Sequence, residues 1–419
     1  EFLVGEAKLL GRFSSDIIKR CSFPPSPGSD VFIAEKDKLT KFLGLDHDSG
    51  LDIGEIQFQD IDAELNLTKV FQKHLAILAQ SGAGKSYLSA VLLEELMDRD
   101  KEDGQIATVV IDPHGEYAGF AKDEGYMDRV KVYSGRDIKI STPSISSGKF
   151  ESFLPDLSSS QKRALDRVIQ GLRSQGEGSG NYDLNDIQNK IEEMDIKSNV
   201  KAPLRSKLGR LTGLDLFERY DKPALKHVEP GKMVVLDLSD VINRTKKQII
   251  VSYFATRLFR ARRKGNIPPL FLLVEEAHNF IPEGVKKSQA ISRGPLTKIA
   301  REGRKFHASL GLISQRPAYL SQTALSQCNT QLILRVTNPY DLDRIKQSAE
   351  GITSDLKDTI PGLKTGECIV VGSAVNYPII VSVRERNSKE FETGKNMEEV
   401  AKEYMNKEEK EDQDIEAFM

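Results

Sequence analysis

Two short clusters in this sequence carry the residue types needed to hold and cleave a phosphate chain. The first is Ala79-Gln80-Ser81-Gly82-Ala83-Gly84-Lys85-Ser86. Gly82 and Gly84 let backbone N–H groups turn inward around an anion, and a helix starting behind them adds unpaired donors and partial positive charge. Lys85 then reaches the β- and γ-phosphates of ATP, and the Ser86 hydroxyl ligates Mg2+. Gln80, Ser81, Ala83 and Tyr87 complete this P-loop around the nucleotide. The second cluster is Glu275-Glu276, at the end of the apolar run Leu270-Phe271-Leu272-Leu273-Val274. Two adjacent acids past a buried strand can divide the work of hydrolysis. Glu275 belongs in the Mg2+ shell, a task normally given to aspartate, and Glu276 orients and deprotonates the attacking water.

One position departs from the G-x-x-x-x-G-K-[ST] pattern: its first glycine is Ala79. Alanine has the smallest side chain with a Cβ, so a negative φ there tolerates it.

These clusters need parallel strands behind them. Leu75-Ala76-Ile77-Leu78 precedes the loop, and Leu88, Val91, Leu92 and Leu96 follow at helical spacing. Apolar runs at 106–111, 233–238, 308–313, 331–336 and 377–383 read as further strands of an α/β core. The run at 308–313 leads into Ser314-Gln315, which sets Gln315 past a strand end, where it can sense the γ-phosphate. The run at 106–111 leads into Asp112-Pro113-His114-Gly115-Glu116-Tyr117. That position faces the ligand crevice of a parallel sheet; the sequence leaves open whether His114 and Glu116 serve the site or cap a turn.

The stretch 151–230 changes character and reads as a helical insertion. Ser158 and Gln161 form a capping-box pattern ahead of Ala164, Leu165, Val168, Ile169 and Leu172. Two more periodic segments follow, on Leu184, Ile187 and Ile191, and on Leu204, Leu208 and Leu211. Near the N-terminus, Val31–Ala34 and Ile53–Phe58 read as strands of a small β-rich module. The expected division is 1–62 for this module, 63–150 and 231–390 for the two parts of the core, 151–230 for the insertion and 391–419 for a charged helical tail.

The chain has 60 Lys and Arg against 62 Asp and Glu, a net charge of −2, so no global basic field advertises nucleic acid. Any such surface is local or built by assembly. The loop read at 283–298 holds Lys286, Lys287, Arg293 and Lys298 against one acid, Glu283, and is the candidate for DNA phosphate contacts. A second basic group, Arg257, Arg260, Arg262, Arg263 and Lys264, ends a helix read at 246–264, where cations suit the macrodipole. Three dispersed cysteines without a CxxC pair fit a reducing, cytoplasmic setting, and no apolar run is long enough to span a bilayer.

Several runs together resemble the HerA family of archaeal DNA translocases, within the HerA–FtsK superfamily. They are the P-loop, Asp112–Tyr117, Glu275-Glu276-Ala277-His278, Ile299–Phe306, Leu312–Pro317 and Leu325–Gln331, and they span most of 70–385 in family order. The resemblance implies a RecA-like P-loop ATPase core with a helical insertion. It also implies an N-terminal HAS barrel, for which the N-terminal module is short. Its further implications are a homo-hexameric ring that threads double-stranded DNA, a NurA-type nuclease partner, and a role in DNA end resection for recombinational repair. Arg301 matches the family's arginine finger, supplied to the neighbouring subunit, with Arg304 as the alternative. Two other classes stay open: a motor of the same superfamily acting on protein, as in secretion, and a nucleotide-gated scaffold that hydrolyses little.

Overall fold

A computed structural model of the protein describes residues 9–14, 17–19, 21, 23–174, 181–286, 289–349, 351–389 and 397–405. Its centre is one eleven-stranded sheet. In chain order the strands are β1 (Leu51–Ile56), β2 (Asp62–Leu65), β3 (Leu75–Leu78), β4 (Ala107–Asp112), β5 (Val130–Ser134), β6 (Met233–Asp237), β7 (Leu270–Val274), β8 (Ala308–Ser314), β9 (Thr330–Ile333), β10 (Glu367–Gly372) and β11 (Ile379–Val383). Across the sheet they run β2-β1-β11-β10-β9-β3-β8-β7-β4-β6-β5. The seven from β9 to β5 are parallel; β10, β11, β1 and β2 continue the sheet in antiparallel pairs.

The central strands are apolar throughout because both faces of the sheet are covered. Side chains alternate along each strand. Ala76 and Leu78 of β3 enter one core with Leu270, Leu272 and Val274 of β7. Leu75 and Ile77 enter the other with Phe271 and Leu273. The P-loop helix α1 (Lys85–Asp98) buries Leu88, Leu92 and Leu96 in the second core. Helix α5 (Arg244–Arg263) buries Ile250, Phe254 and Leu258 in the first.

The insertion packs on that first face as α2 (Ser159–Ser174), α3 (Leu184–Glu193) and α4 (Ser198–Thr212). The Ser158–Gln161 capping box is present: the Gln161 amide donates to Ser158 Oγ at 3.3 Å, and the Ser158 amide to Gln161 Oε1 at 3.0 Å. Helix α6 (Arg293–Glu302) lies between the glutamate pair and β8. The 283–298 stretch is therefore not all loop, since its last six residues open a helix. Pro295 sits in the first turn, where a missing N–H removes no helical hydrogen bond.

At the N-terminus the structure departs from a self-contained β-rich module. Leu51–Ile56 is a strand of the core sheet, paired with β11 through Ile56 and Val381. Val31–Ala34 forms no strand, and Val31, Phe32 and Ile33 are exposed. The remaining described strands there, Arg12–Ser14 and Ile17–Lys19, pair only with each other. Of the tail, 397–405 is helical, and the rest of the tail lies outside the described residues. Among the described residues no helix is long and apolar enough to cross a membrane.

The far part of α1 is tied to the chain beyond β11. Glu94, fully buried, accepts from Arg384 Nη1 at 3.2 Å, from the Asn387 and Ser388 amides at 2.9 Å each, and from the Ser388 hydroxyl. Arg384 Nη2 also pairs with Glu95 at 2.7 Å.

Candidate active site

The site forms at the carboxyl ends of β3, β7, β8 and β4. Ala79 is buried with a negative φ, and its amide donates to Ser314 O at 3.2 Å, so the loop tolerates its Cβ. Gly82 and Gly84 take φ of +73° and +96°, the left-handed region that favours glycine. Gln80 Oε1 accepts from the Thr337 hydroxyl at 2.9 Å, while Ser81 and Gly82 are exposed at the loop tip. Tyr87, one turn into α1, accepts on its hydroxyl from the Arg386 amide at 2.9 Å.

Lys85 is only 6% exposed and points into three carboxylates. Its Nζ is hydrogen-bonded to Glu275 Oε1, with Glu276 Oε1 at 3.6 Å and Glu116 Oε2 at 3.7 Å. The Ser86 hydroxyl donates to Glu116. Burial pushes the Glu275 carboxyl up to about 8, against the pull of the Lys85 ammonium. Burial disfavours charge on Lys85 as well, but the glutamates outweigh it and its pKa is raised.

Glu276 adopts φ +49°, a conformation that costs a non-glycine residue about 1 kcal/mol. Its carboxylate is held from two sides. Gln315 Nε2 donates to Oε1 at 2.6 Å, and His278 Nδ1 lies 3.2 Å from Oε2. The same ring nitrogen is 3.2 Å from Ser314 Oγ. Burial lowers the His278 pKa, with Glu276 opposing.

The donor set fits a divalent cation. Three carboxylates against one ammonium leave excess negative charge. Among the described residues, Glu275 Oε2 is buried and has no hydrogen-bond partner. His114, Glu275 and Glu276 each present a ligand atom within 4.8 Å of the others.

The structure thus brings Lys85, Ser86, Glu275, Glu276 and Gln315 together, and adds Glu116 and His114, which the sequence left undecided. Asp112 fixes their loop by accepting from the amides of His114, Gly115, Glu116 and Tyr117 at 2.8–3.2 Å. Ser89 Oγ and the Tyr117 hydroxyl, 2.8 Å apart, tie that loop to α1. The available signal was the loop's place past a strand end; what the sequence hid is that β4 lies directly beside β7.

The basic candidates lie elsewhere. Arg301 is exposed on the last turn of α6, ahead of β8, at the amino ends of the strands, opposite the P-loop. His74, just before β3, marks that end by bonding through Nε2 to Ala300 O at 2.9 Å. Arg304 is exposed in the turn that follows. Lys286 is exposed; Arg293 and Lys298 line a cleft with Arg301. Lys287 lies outside the described residues.

Residues 51–258 match the family model of the helicase HerA central domain. The DNA double-strand break repair helicase HerA of Pyrococcus furiosus is 26% identical over 91% of this chain and 78% of its own length. A probable HerA repair helicase of Methanocaldococcus jannaschii is 27% identical over 91% of this chain and 85% of its own. Among solved structures, VirB4 of Thermoanaerobacter pseudethanolicus aligns at TM-score 0.60 and 17% identity, covering 82% of this chain and 98% of that one. The plasmid coupling protein TrwB aligns at 0.52 and 13%, covering 78% and 90%. With its parallel sheet, P-loop and paired glutamates, the chain is a RecA-like P-loop ATPase whose residues 51–258 carry the helicase HerA central domain.

Proposed function

We propose that this protein hydrolyses ATP with Mg2+ to drive double-stranded DNA through a homo-hexameric ring, working beside a NurA-type nuclease in the resection of DNA ends. The observation that carries the reading is the convergence of Lys85, Ser86, Glu275, Glu276 and Gln315 at one crevice. Ser86 and Glu275 would hold Mg2+, which supplies positive charge to the phosphate oxygens. Lys85 exchanges its glutamate partners for the β- and γ-phosphates. Glu276, buried and oriented by Gln315, accepts the proton of the attacking water, and Gln315 registers the γ-phosphate through the same hydrogen bond.

Within one chain the P-loop segment brings one cation to the crevice, and Arg301 sits at the opposite, amino ends of the strands. That separation supports delivery of Arg301 by a neighbouring subunit, with Arg304 as the second choice. Lys286, Lys287, Arg293 and Lys298 are the proposed contacts to DNA phosphates. The relatives named as DNA double-strand break repair helicases support the choice of DNA as substrate.

The test is ATP turnover of the full chain with and without duplex DNA, alongside the mass of the assembly in solution. Turnover raised by duplex DNA in a ring-sized assembly is the expected result. Turnover that is indifferent to DNA but raised by a protein partner makes the chain a protein motor, and negligible turnover makes it a scaffold.

A further inference from the structure

Behind the glutamate pair the chain makes a single turn, Ala277–Asn279, closed by the Asn279 amide on Glu276 O at 2.8 Å. Glu276 opens that turn at φ +49°, and a residue in this region stays there only where its surroundings fix it. An anchor reaches the turn from another helix: Gln248 Nε2, on α5, donates to Asn279 O at 2.7 Å. Asn279 thus joins Glu276 through its amide to Gln248 through its carbonyl. The preceding residue of α5 steadies the other loop of the crevice. Lys247 Nζ donates to Pro113 O at 3.2 Å, beside His114 and Glu116.

The other end of the Gln248 amide faces α6. Its Oε1 accepts from the Ser292 amide at 3.1 Å and from the Ser292 hydroxyl at 2.7 Å. The reverse orientation would set Nε2 against the Ser292 N–H and Oε1 against the Asn279 carbonyl, so these partners fix it. Gln248 is 3% exposed and Ser292 is fully buried. Ser292 is the N-cap of α6, yet its hydroxyl caps no helix N–H. It lies 2.7 Å from Phe280 O as well as from Gln248 Oε1. A hydroxyl has one hydrogen to give. When it turns to Phe280, Gln248 Oε1 still keeps the Ser292 amide. An apolar side chain at 248 would fill the space but leave the Asn279 carbonyl and the Ser292 amide without these partners. On this one amide meet α5, the turn behind Glu276, and α6, which bears Arg301 at its far end.

We propose that Gln248 is a positioning residue for ATP hydrolysis, holding the turn behind Glu276 so that its carboxylate stays aimed at the attacking water. It touches no substrate and acts through Glu276. Gln315 and His278 orient the carboxylate itself, whereas Gln248 fixes the backbone that delivers it. A strained backbone relaxes when its anchor is removed. A catalytic group displaced by about 1 Å costs on the order of 10²-fold in rate. The inference rests on the reading of Glu276 as the proton acceptor.

The test is kcat and KM for ATP, read by phosphate release from the full chain with Gln248→Met, alone and combined with Glu276→Gln. Methionine is close to glutamine in length and volume and lacks both polar ends. The substitution alone should lower kcat about 10²-fold with KM for ATP within about twofold, since the P-loop is untouched. In the Glu276→Gln background it should change the residual rate by less than about threefold, because the group it positions is already gone. A packing defect would lower both backgrounds equally, and that result overturns the proposal. So does an unchanged kcat, or a loss confined to KM. If Gln248→Met melts below the assay temperature, Ser292→Ala takes its place, because Gln248 then keeps the Ser292 amide and α6 loses no side-chain cap. It should lower kcat at constant KM, with no further loss in the Glu276→Gln background; an unchanged kcat, or equal losses in both, overturns the proposal. If Glu276→Gln alone turns over at the unmutated rate, the assignment of Glu276 fails first and takes this one with it.

Discussion

The catalytic crevice and the basic cleft are opposite solutions to placing charge inside one chain. In the crevice, Lys85 has three glutamates and each glutamate has a named donor, yet the charge is left negative and, among the described residues, Glu275 Oε2 has no partner. In the cleft, among the described residues, six cations (Lys149, Arg260, Lys264, Arg293, Lys298 and Arg301) face one acid, Glu302, and Lys149 is held by neutral oxygens and the face of Phe153. Uncompensated charge is costly to enclose. Both surfaces are built to be completed by another molecule: the crevice by a cation and a phosphate chain that takes Lys85 from its glutamates, the cleft by a group that brings negative charge.

The largest break is Lys85→Ala. It removes the crevice's cation and strands Glu275 in a buried place, and phosphate release should fall to background. Turnover near the unmutated level would mean another residue holds the phosphates. Arg301→Ala strikes from the cleft side. If the finger acts across subunits, turnover should drop roughly 10³-fold or more with ATP binding and assembly intact. Mixing this variant with Lys85→Ala subunits, under conditions where a labelled-subunit assay shows exchange, should restore part of the activity. No recovery argues against delivery in trans, unless the ring is concerted, which steep poisoning of unmutated rings by Arg301→Ala would reveal. Glu276→Gln should cost about 10²–10⁴ in turnover, the range of a lost general base, while ATP binding persists. A rate unchanged in that variant shifts the proton acceptor to Glu275.

The smallest effect concerns the strut between the two regions. His74 accepts the Leu310 amide on Nδ1 at 3.0 Å and bonds through Nε2 to Ala300 O, joining the root of β3 to α6. Burial lowers its pKa to about 4, below the usual value near 6.5. The unfolded chain therefore takes up the proton first, and stability is full above about pH 6.5 and falls as pH drops toward 4. At pH 5 the loss is about 2 kcal/mol. His74 has φ +64°, which asparagine tolerates, so His74→Asn is the variant of choice. Urea unfolding at pH 7.5 and pH 5 should show a smaller pH effect in that variant; an identical effect would place the sensitive group elsewhere.

What the sequence disclosed and withheld follows the same divide. The P-loop and the glutamate pair are contiguous runs, and their residues met as expected. Glu116 was undecided because its role depends on β4 lying next to β7, which no local pattern encodes. The core strands were plain from their apolar runs, but β1 joins them only through β11, and Ile56 and Val381 are far apart in sequence. Val31–Ala34 has strand-like residues and no partner strand, and propensity without a partner makes no strand. Gly294-Pro295 read as loop although proline suits a first turn, so the start of α6 was missed, while the helical spacing of Leu296, Ile299 and Ala300 already marked the rest of it.

The tether on Glu94 bears on how the molecule is made. Ser388 donates its amide to a carboxylate 294 residues earlier. Domains begin to fold while synthesis continues, N-terminal parts first. The Glu94 carboxyl in the buried face of the helix after the phosphate loop therefore lacks these donors until almost all of the described chain has left the ribosome. Contacts of such separation are slow to form. A nascent chain stopped before Arg384 would carry the complete nucleotide motifs yet leave Glu94 without the donors that the mature protein supplies.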